Sequence, residues 1–429
     1  MPLSAIFPEM RWLIDQDKEV ASAIDAEFFR QSSCINLIAS ENYASREVMA
    51  AQGSILTNKY AEGYSGRRYY GGCQEVDRLE DLATSRAAQL FKVKHVNVQP
   101  HSGAQANLSV FFALLNPQDT VLGMALDAGG HLTHGAAPTI SGRWFNPVLY
   151  RVNPETGLID MDEVRELARQ HRPKLIVAGA SSYPRVIDFA AFREIADEVG
   201  AYLLADIAHY AGLVVADLYP SPIPYAHVVT TTTHKTLRGA RGGMIMTNDD
   251  AMAKKLNSAV FPGVQGGPLM HIIAAKAVGF GEALKPEFKE YAERMLANAR
   301  DLADELQQEG VEVMTGGTDC HMVLVNLQKY NVSGKDVQES LERANIICNK
   351  NAIPNDPRGP GLASGVRLGS PSATARGLGG AEFRMIANMV AEIIKGVAAN
   401  GVDGNGAVEA SVLERVLAIC DKHPIYPAI

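Results

Sequence analysis

Short apolar runs alternate with amphipathic segments through the middle of the chain. Residues 175–181 and 201–209 are apolar runs of strand length, and 226–233 is a third. Between the first two, residues 189–200 carry apolar positions at helical spacing and end on Gly200, a common helix stop. Strands joined by helices of this length predict βαβ units, and therefore a mostly parallel sheet.

The flanking regions extend this prediction. Residues 95–100 predict a strand that runs into a helix beginning near Ser102. Beyond Pro286 the pattern changes to one long amphipathic helix, followed by a mixture of short strands and helices; these are predicted at 288–310, 311–315, 322–327, 335–346, 365–369 and 380–396. We therefore expect an α/β chain with an N-terminal arm, a large domain and a smaller α+β C-terminal domain, at 1–45, 46–286 and 287–429. The glycine-rich residues 399–411 are predicted to be a flexible linker.

The composition is that of a globular protein and narrows the function classes. Of 429 residues, 47% are hydrophobic and 21% are charged, which excludes a disordered or collagen-like chain. The net charge of −8 and the lack of any Lys/Arg-rich block give no electrostatic case for nucleic acid or an anionic membrane. No signal peptide or bilayer-spanning run is visible, and the five cysteines lack metal-ligand spacing. We expect a cytoplasmic protein with reduced thiols and no metal site.

Three segments carry residues suited to one cofactor. Lys235, in TTTTHKTLRGARGG, follows a predicted strand, and the charges of Arg238 and Arg241 would depress its pKa, as a Schiff-base lysine requires. Asp206 ends another strand, where it could hold a protonated ring nitrogen. Ser102 stands where a strand enters a helix, which is an anion site without the spacing of a nucleotide-binding loop.

Each of these residues also has an ordinary explanation. Taken singly, Lys235 could be a solvated loop lysine, Asp206 could cap the next helix and Ser102 could mark a plain helix start. Taken together, a lysine for an aldehyde, an acid for a ring nitrogen and a site for a single phosphate describe pyridoxal 5′-phosphate (PLP).

Longer motifs run in order along the chain from about residue 5 to 396. They are NLIASENY (36–43), LTNKYAEGYSGRRYYGG (56–72), HSGAQAN (101–107), GGHLTHG (129–135), TTTTHKTLRGARGG (230–243), FPGVQGGPLMH (261–271) and NKNAIPNDP (349–357). With these motifs the chain resembles the serine hydroxymethyltransferase family. The resemblance implies a PLP-dependent transferase of fold type I, with a mostly parallel seven-stranded sheet in the large domain. It also implies a homodimer or a dimer of dimers, with tetrahydrofolate as co-substrate.

The resemblance implies a cofactor role for each matching position. Lys235 would hold PLP, Asp206 would pair with the ring nitrogen and His131 would stack on the ring. Further implied contacts within the subunit are Ser102, Gly103, Ser181, His209 and Thr232. Three residues of the neighbouring subunit would reach the phosphate, at the positions of Tyr60, Gly266 and Gly267.

The resemblance also implies a reaction, in which the Cα–Cβ bond of a 3-hydroxy amino acid breaks and the released carbon forms 5,10-methylenetetrahydrofolate. Arg367 would bind the substrate carboxylate as a bidentate fork, with Ser40 beside it. Glu62, again from the neighbour, would handle the hydroxyl proton, and Tyr70 would lie near the substrate. The implied folate-binding residues are Glu62, Tyr69, Leu126, Gly130, Leu132 and Asn351.

Some segments depart from the family pattern near the substrate. They are 136–142, Tyr210 where the family has Val or Ile, 359–365 and 369–378, and many of them carry smaller residues. Neutral drift explains this, and so does altered room around Cα or the folate, since relatives in the family act on α-methylserine and release D-alanine. We expect a hydroxymethyltransferase acting on serine or α-methylserine. The alternative is a folate-independent PLP aldolase acting on α-methylserine or on 3-hydroxy amino acids of the allo-threonine type.

Two interpretations from other classes have less support. An aminotransferase or decarboxylase on the same fold would not need Glu62 and the folate-binding positions. A catalytically silent scaffold protein would not need Lys235, Asp206 and Arg367 together.

Overall fold

The computed structural model describes residues 10–426, so residues 1–9 of the predicted N-terminal arm lie outside the described part. The strands of the described part are β1 (Ile35–Asn36), β2 (Gly63–Tyr64), β3 (Arg67–Arg68), β4 (His95–Asn97), β5 (Thr120–Met124), β6 (Asn146–Tyr150), β7 (Leu175–Gly179), β8 (Tyr202–Asp206), β9 (Val228–Thr232), β10 (Gly243–Thr247), β11 (Glu312–Val313), β12 (Met322–Asn326), β13 (Ile346–Ile347), β14 (Asn349–Asn351) and β15 (Gly365–Gly369).

The α-helices of the same part are α1 (Met10–Gln16), α2 (Lys18–Ser33), α3 (Arg46–Gln52), α4 (Gln74–Phe91), α5 (Gly103–Leu114), α6 (Ile140–Trp144), α7 (Met161–His171), α8 (Phe189–Val199), α9 (Ala211–Val215), α10 (Asp250–Ser258), α11 (Met270–Ala283), α12 (Pro286–Gln308), α13 (Gly334–Arg343), α14 (Pro371–Ala375), α15 (Gly380–Asn400) and α16 (Gly406–Lys422). Short 3-10 turns at Leu126–Ala128 and Leu132–His134 matter for the site described below.

The central sheet has seven strands in the order β4-β10-β9-β8-β7-β5-β6. The strands from β9 to β6 are all parallel, and β10 runs antiparallel to both of its neighbours. The predicted mostly parallel seven-stranded sheet is therefore confirmed. Along β7, Leu175 and Val177 enter one apolar core while Ile176 and Ala178 enter another. Burial of both faces explains why these strands appear in the sequence as continuous apolar runs.

A second, antiparallel sheet of four strands has the order β11-β12-β15-β14 and packs in its own apolar core. Helix α12 joins the two cores, because its Phe288 and Met295 pack in the large one whereas Leu302 and Leu306 pack in the small one. The arm ends in β1, which pairs in parallel with β13 of the C-terminal region. The exact boundaries of the arm and the two domains stay predictions.

The prediction of a flexible linker at 399–411 is wrong. Helix α15 continues to Asn400 and α16 begins at Gly406, so only a tight connection remains. Asn405 is fully buried and donates from Nδ2 to Ser340 Oγ at 3.0 Å. Gly401 has a left-handed φ of 73°, and an asparagine packs under Gly396, so the small and polar residues serve a close helix–helix connection.

All five cysteines are buried free thiols. Within the described residues, no helix is long and apolar enough to cross a membrane.

Candidate active site

The candidate residues collect at the carboxyl ends of two neighbouring parallel strands. Asp206 is the last residue of β8 and Thr232 the last of β9, and Lys235 lies three residues beyond β9. Ser102 caps the N-terminus of α5, with its Oγ accepting the Gln105 N–H at 3.1 Å. Ligands of open α/β sheets bind at this edge, so strand order alone brings these residues together.

Lys235 is partly buried rather than exposed on a solvated loop. Desolvation lowers its pKa to about 8, against the charge of Asp206, and the charges of Arg367 and Arg241 act in the same direction as desolvation. Arg238, which the sequence suggested as a contributor, instead lies over the ring of Tyr291, 5.5 Å from its centroid. In place of Arg238, the charge of Arg367 on β15 helps to lower the pKa of Lys235.

Asp206 is held as a carboxylate by a buried network. Its Oδ2 accepts Nε2 of His134 and Nδ2 of Asn107, each at 2.9 Å, and its Oδ1 accepts the Ala208 N–H at 3.1 Å. Burial raises the pKa of Asp206, but the His134 hydrogen bond and the nearby imidazoles outweigh it and hold that pKa well below its usual range. A carboxylate kept ionised in a buried place is the partner that a protonated ring nitrogen requires.

His131 belongs to the same network. Its Nδ1 accepts the Thr133 N–H at 3.2 Å, and Thr133 Oγ1 in turn accepts Nδ2 of Asn107 at 2.9 Å. The accepting role of Nδ1 places the ring proton of His131 on Nε2. Burial lowers the pKa of His131 to about 4, so the ring is neutral at physiological pH.

His209 is paired with a histidine from the small sheet. Its Nδ1 lies 3.3 Å from Nε2 of His321, and the planes of the two rings are nearly parallel, at 13° to each other. Burial holds the pKa of His209 well below its usual value and lowers that of His321 to about 3. One of the two neutral rings donates and the other accepts across this contact, so the tautomers of His209 and His321 are coupled.

The strand and helix ends approach too closely for larger residues. A Cβ on Gly103 would lie 2.7 Å from Cγ2 of Thr232, and one on Gly243 would lie 2.3 Å from the Ser102 carbonyl oxygen. The free N–H groups at the start of α5 face this edge of the sheet. We call this N-terminus of α5, at Ser102 and Gly103, the phosphate cradle. The site thus offers PLP a cradle for its phosphate, an ionised Asp206 for its ring nitrogen and a lysine of lowered pKa for its aldehyde.

Arg367 is aimed by two contacts that leave part of its guanidinium available. Its Nη1 donates to the Ser181 carbonyl oxygen at 2.6 Å, and its Nε donates to Oδ1 of Asn349 at 3.1 Å. Those contacts to the described residues leave both hydrogens of Nη2 and one of Nη1 for a carboxylate. Ser40 lies on the adjoining segment, since a Cβ on Gly369 at the end of β15 would be 2.4 Å from Cα of Ala39.

A second cluster surrounds Glu62. Tyr60 donates to Glu62 Oε1 at 3.4 Å and contacts the ring of Tyr70, with 5.3 Å between the two centroids. The charge of Glu62 raises the pKa of the Tyr70 phenol. A Cβ on Gly266 would lie 3.2 Å from Glu62 Oε1, and one on Gly267 would lie 3.1 Å from the Tyr60 ring. These four residues, which are predicted to serve a neighbouring subunit, therefore form one group with Tyr70 inside a single chain.

The residues predicted to bind folate lie on three segments. Leu126 and Leu132 are half exposed on the two 3-10 turns that flank His131, with Gly130 between them, and Tyr69 is exposed. Asn351 ends β14, next to β15 and Arg367. Residues 127–129 line one shared cleft with Ala352 and Pro354, so the turns that carry Leu126 and Leu132 adjoin the segment that follows Asn351.

Sequence reasoning missed several site residues although it quoted the motifs that contain them. His134 lies in GGHLTHG, Asn107 in HSGAQAN and Asn349 in NKNAIPNDP. Their side chains act on other protein groups, so only their place inside a motif could have indicated them. His321 lies outside the quoted motifs, and no signal in the sequence singled it out.

His131, His134 and Asp206 also bring three possible metal-ligating atoms within 4.8 Å of one another. Both nitrogens of His134 are engaged, however, because Nδ1 accepts the His131 N–H at 3.3 Å while Nε2 donates to Asp206. The cluster is thus better suited to a cationic ring nitrogen than to a metal ion.

Comparisons with known proteins find one family along most of the chain. The family model described as serine hydroxymethyltransferase matches residues 13–390. A protein of Acidiphilium cryptum named serine hydroxymethyltransferase is 59% identical over 414 residues, covering 96% of each chain. A protein of the same name from Ruegeria pomeroyi is 60% identical over 415 residues, covering 97% of this chain and 96% of the relative. Another, from Caulobacter sp. strain K31, is 60% identical over 410 residues.

Proposed function

This chain belongs to the serine hydroxymethyltransferase family, and we propose that it transfers the hydroxymethyl carbon of serine, or of an α-substituted serine, to tetrahydrofolate. It is a PLP-dependent hydroxymethyltransferase with tetrahydrofolate as co-substrate. The observation that carries the proposal is the meeting of Lys235, Asp206 and Ser102 at one end of the sheet.

The cofactor's parts have matching protein groups. Lys235 would hold the aldehyde carbon, Asp206 the ring nitrogen and Ser102 with Gly103 the phosphate, while His131 and His209 would flank the ring and Ser181 and Thr232 would contact it. When bound, PLP supplies an electron sink for the electron pair left at Cα when the Cα–Cβ bond breaks. The His134 and Asn107 hydrogen bonds keep Asp206 ionised, which favours a protonated ring nitrogen.

The amino acid would be bound by its carboxylate. Arg367 offers the unused hydrogens of Nη1 and Nη2 in a fork that matches a carboxylate, with Ser40 beside it. Binding of the carboxylate by Arg367 would orient the amino acid about Cα and so select which Cα substituent is cleaved. Glu62 would accept the hydroxyl proton as that bond breaks and the one-carbon unit leaves at the level of formaldehyde. Tetrahydrofolate takes up that unit as 5,10-methylenetetrahydrofolate, and glycine remains when the donor is serine.

We propose a homodimer, or a dimer of dimers, with shared active sites. Tyr60, Glu62 and Tyr70 form an exposed or half-buried group that includes a carboxylate, next to the Gly266–Gly267 pair. Such a group would complete a partner's site by adding Glu62 and the phosphate contacts. Leu126, Leu132, Tyr69, Gly130 and Asn351 would then form the folate-binding surface. We place the enzyme in the cytoplasm, where five free thiols stay reduced.

For the donor amino acid we propose α-methylserine beside serine. Tyr210, one of the departures from the family pattern, is buried between the site and the small sheet and donates from its hydroxyl to the Tyr183 carbonyl oxygen at 2.9 Å. That carbonyl lies two residues from Ser181, whose carbonyl oxygen aims Arg367. One methyl group changes binding by about 1–3 kcal/mol, which a small shift of this segment can provide.

The test is the visible absorbance that the PLP-loaded enzyme shows when Cα of a bound amino acid loses a substituent. We would compare glycine, D-alanine and L-alanine, each with and without tetrahydrofolate, with Lys235→Ala as the control that cannot hold PLP normally. A folate-enhanced signal with glycine supports the hydroxymethyltransferase, and a stronger one with D-alanine supports α-methylserine as donor. Signals indifferent to folate would instead indicate the aldolase, and no signal with any of them would contradict the proposal.

A further inference from the structure

A buried lysine outside the predicted site lies behind the phosphate cradle. Lys276 on α11 is 1% exposed, and its Nζ donates to three backbone carbonyl oxygens: Val98 at 2.6 Å, Pro100 at 3.0 Å and Gly243 at 2.8 Å. Three acceptors match the three hydrogens of an ammonium group. Lys276 therefore joins the segment after β4 to the start of β10. Burial lowers its pKa to about 7, against the charge of Glu80, and a phosphate dianion bound nearby would favour the charged form.

A second side chain from the same part of the chain completes this clamp. Gln265 accepts the His101 N–H on Oε1 at 2.9 Å and donates from Nε2 to the Gln99 carbonyl oxygen at 3.0 Å. Together with Lys276 it binds the main chain of residues 98–101, which ends directly at the helix cap Ser102. The main chain that enters the cradle is thus fixed by these two side chains together with the Gly243 N–H, which donates to the Pro100 carbonyl oxygen at 3.0 Å.

The clamp also fits the glycines around it. A Cβ on Gly242 would lie 2.4 Å from Cε of Lys276, so a side chain there would push the lysine out of place. Burial, and after it the charge of Lys276, lowers the pKa of His101, the residue before Ser102. The ammonium is therefore close enough to act electrostatically on the cradle.

We propose that Lys276 is a positioning residue for the cofactor phosphate, which holds the start of α5 in its binding shape and places a positive charge behind it. This inference rests on the proposed PLP function. A dianionic phosphate benefits from both effects, because the N–H groups must point at it and because a buried cation offsets its charge. The aldehyde and ring contacts, made by Lys235 and Asp206, do not depend on the clamp.

Because the clamp acts on the phosphate alone, its loss should weaken the binding of PLP but not that of an analogue without the phosphate. The full-length apoenzyme is titrated with PLP and with 5′-deoxypyridoxal, which lacks the phosphate, and binding is followed by visible absorbance and circular dichroism. For Lys276→Met, which keeps the length of the side chain, we expect the Kd of PLP to rise about tenfold or more and that of 5′-deoxypyridoxal to change by less than about twofold.

Ile273→Ala is the matched control. Ile273 is buried on the same helix but contacts the apolar core, so its loss should lower the unfolding temperature and leave the ratio of the two Kd values unchanged. If Lys276→Met does not fold, Gln265→Leu tests the same ratio by removing the other half of the clamp. Equal weakening of both ligands, or of neither, would overturn the inference. Failure of the wild-type chain to bind PLP would instead overturn the proposed function.

Discussion

His134 donates from Nε2 to Oδ2 of Asp206 at 2.9 Å, across 72 residues of chain. Its other ring nitrogen accepts the His131 N–H, which fixes the tautomer that can donate. The side chain that keeps Asp206 ionised is therefore oriented by the backbone of the histidine predicted to stack on the cofactor. One short turn would thus serve both the face and the nitrogen of the cofactor ring.

The first prediction concerns this hydrogen bond. His134→Leu removes the donor, so the pKa of Asp206 should rise toward its usual range and the ring nitrogen should lose part of its charge partner. A hydrogen bond to a charged group is worth about 1.5–3 kcal/mol, so kcat should fall roughly 10- to 150-fold. Steady-state assays with serine and tetrahydrofolate measure this. His227→Leu, away from the site, should leave kcat unchanged; an unchanged kcat in His134→Leu would contradict the role.

The second prediction is a pH dependence of cofactor capture. Desolvation lowers the pKa of Lys235 to about 8, so its amine is charged below that pH and neutral, hence nucleophilic, above it. The rate of PLP capture by the apoenzyme should rise about tenfold per pH unit below pH 8 and level off above it. Stopped-flow absorbance from pH 6.5 to 10 tests this. A rate that keeps rising up to pH 10 would show an ordinary lysine.

The third prediction concerns the substrate carboxylate. Arg367→Ala removes the fork, so the KM for serine should rise roughly 100-fold while the visible spectrum of bound PLP stays the same. Arg367→Lys keeps the charge without the fork and should fall between the two. Steady-state kinetics give the KM for serine, and visible absorbance of the same samples reports the bound PLP. Loss of bound PLP in Arg367→Ala would mean that the residue serves the cofactor instead.

The fourth prediction concerns stability. Arg376 is buried and donates to carbonyl oxygens at the ends of two helices, those of Ser32, Cys34, Cys420 and His423, so it ties α2 and α16 to the small sheet. Arg376→Met takes a buried charged donor away from these four carbonyls, of which Cys420 still accepts the His423 N–H, and should cost about 2–5 kcal/mol of unfolding free energy.

Urea unfolding of the PLP-loaded protein measures that cost. The matched control is Arg384→Met, which removes an arginine whose bond to Asp301 is half exposed and worth about 0–1 kcal/mol. Similar midpoints for the two variants would show that Arg376 contributes no more than a surface ion pair.

The sequence predicted most of the fold because the signals involved are local. The boundaries expected for the strands at 175–181, 201–209 and 226–233 shorten in the structure to β7, β8 and β9, and Gly200 ends α8 in a left-handed conformation as expected. The linker prediction was wrong because glycine and asparagine serve tight packing as well as flexibility, and only the neighbouring helices distinguish the two. The roles assigned to Arg367, Glu62 and the folate-binding residues stay predictions.

The sequence by itself determined the alternation of strands and helices and the mostly parallel sheet, and it predicted the candidate cofactor residues at the carboxyl edge of that sheet. These follow from the period of apolar positions and from chemistry carried at strand ends. Only the tertiary structure identified His134 as the partner of Asp206, His321 as the partner of His209 and Lys276 as the clamp behind Ser102. Each of these contacts joins residues more than 70 positions apart, and a hydrogen bond depends on where two side chains meet in space, which no local pattern specifies.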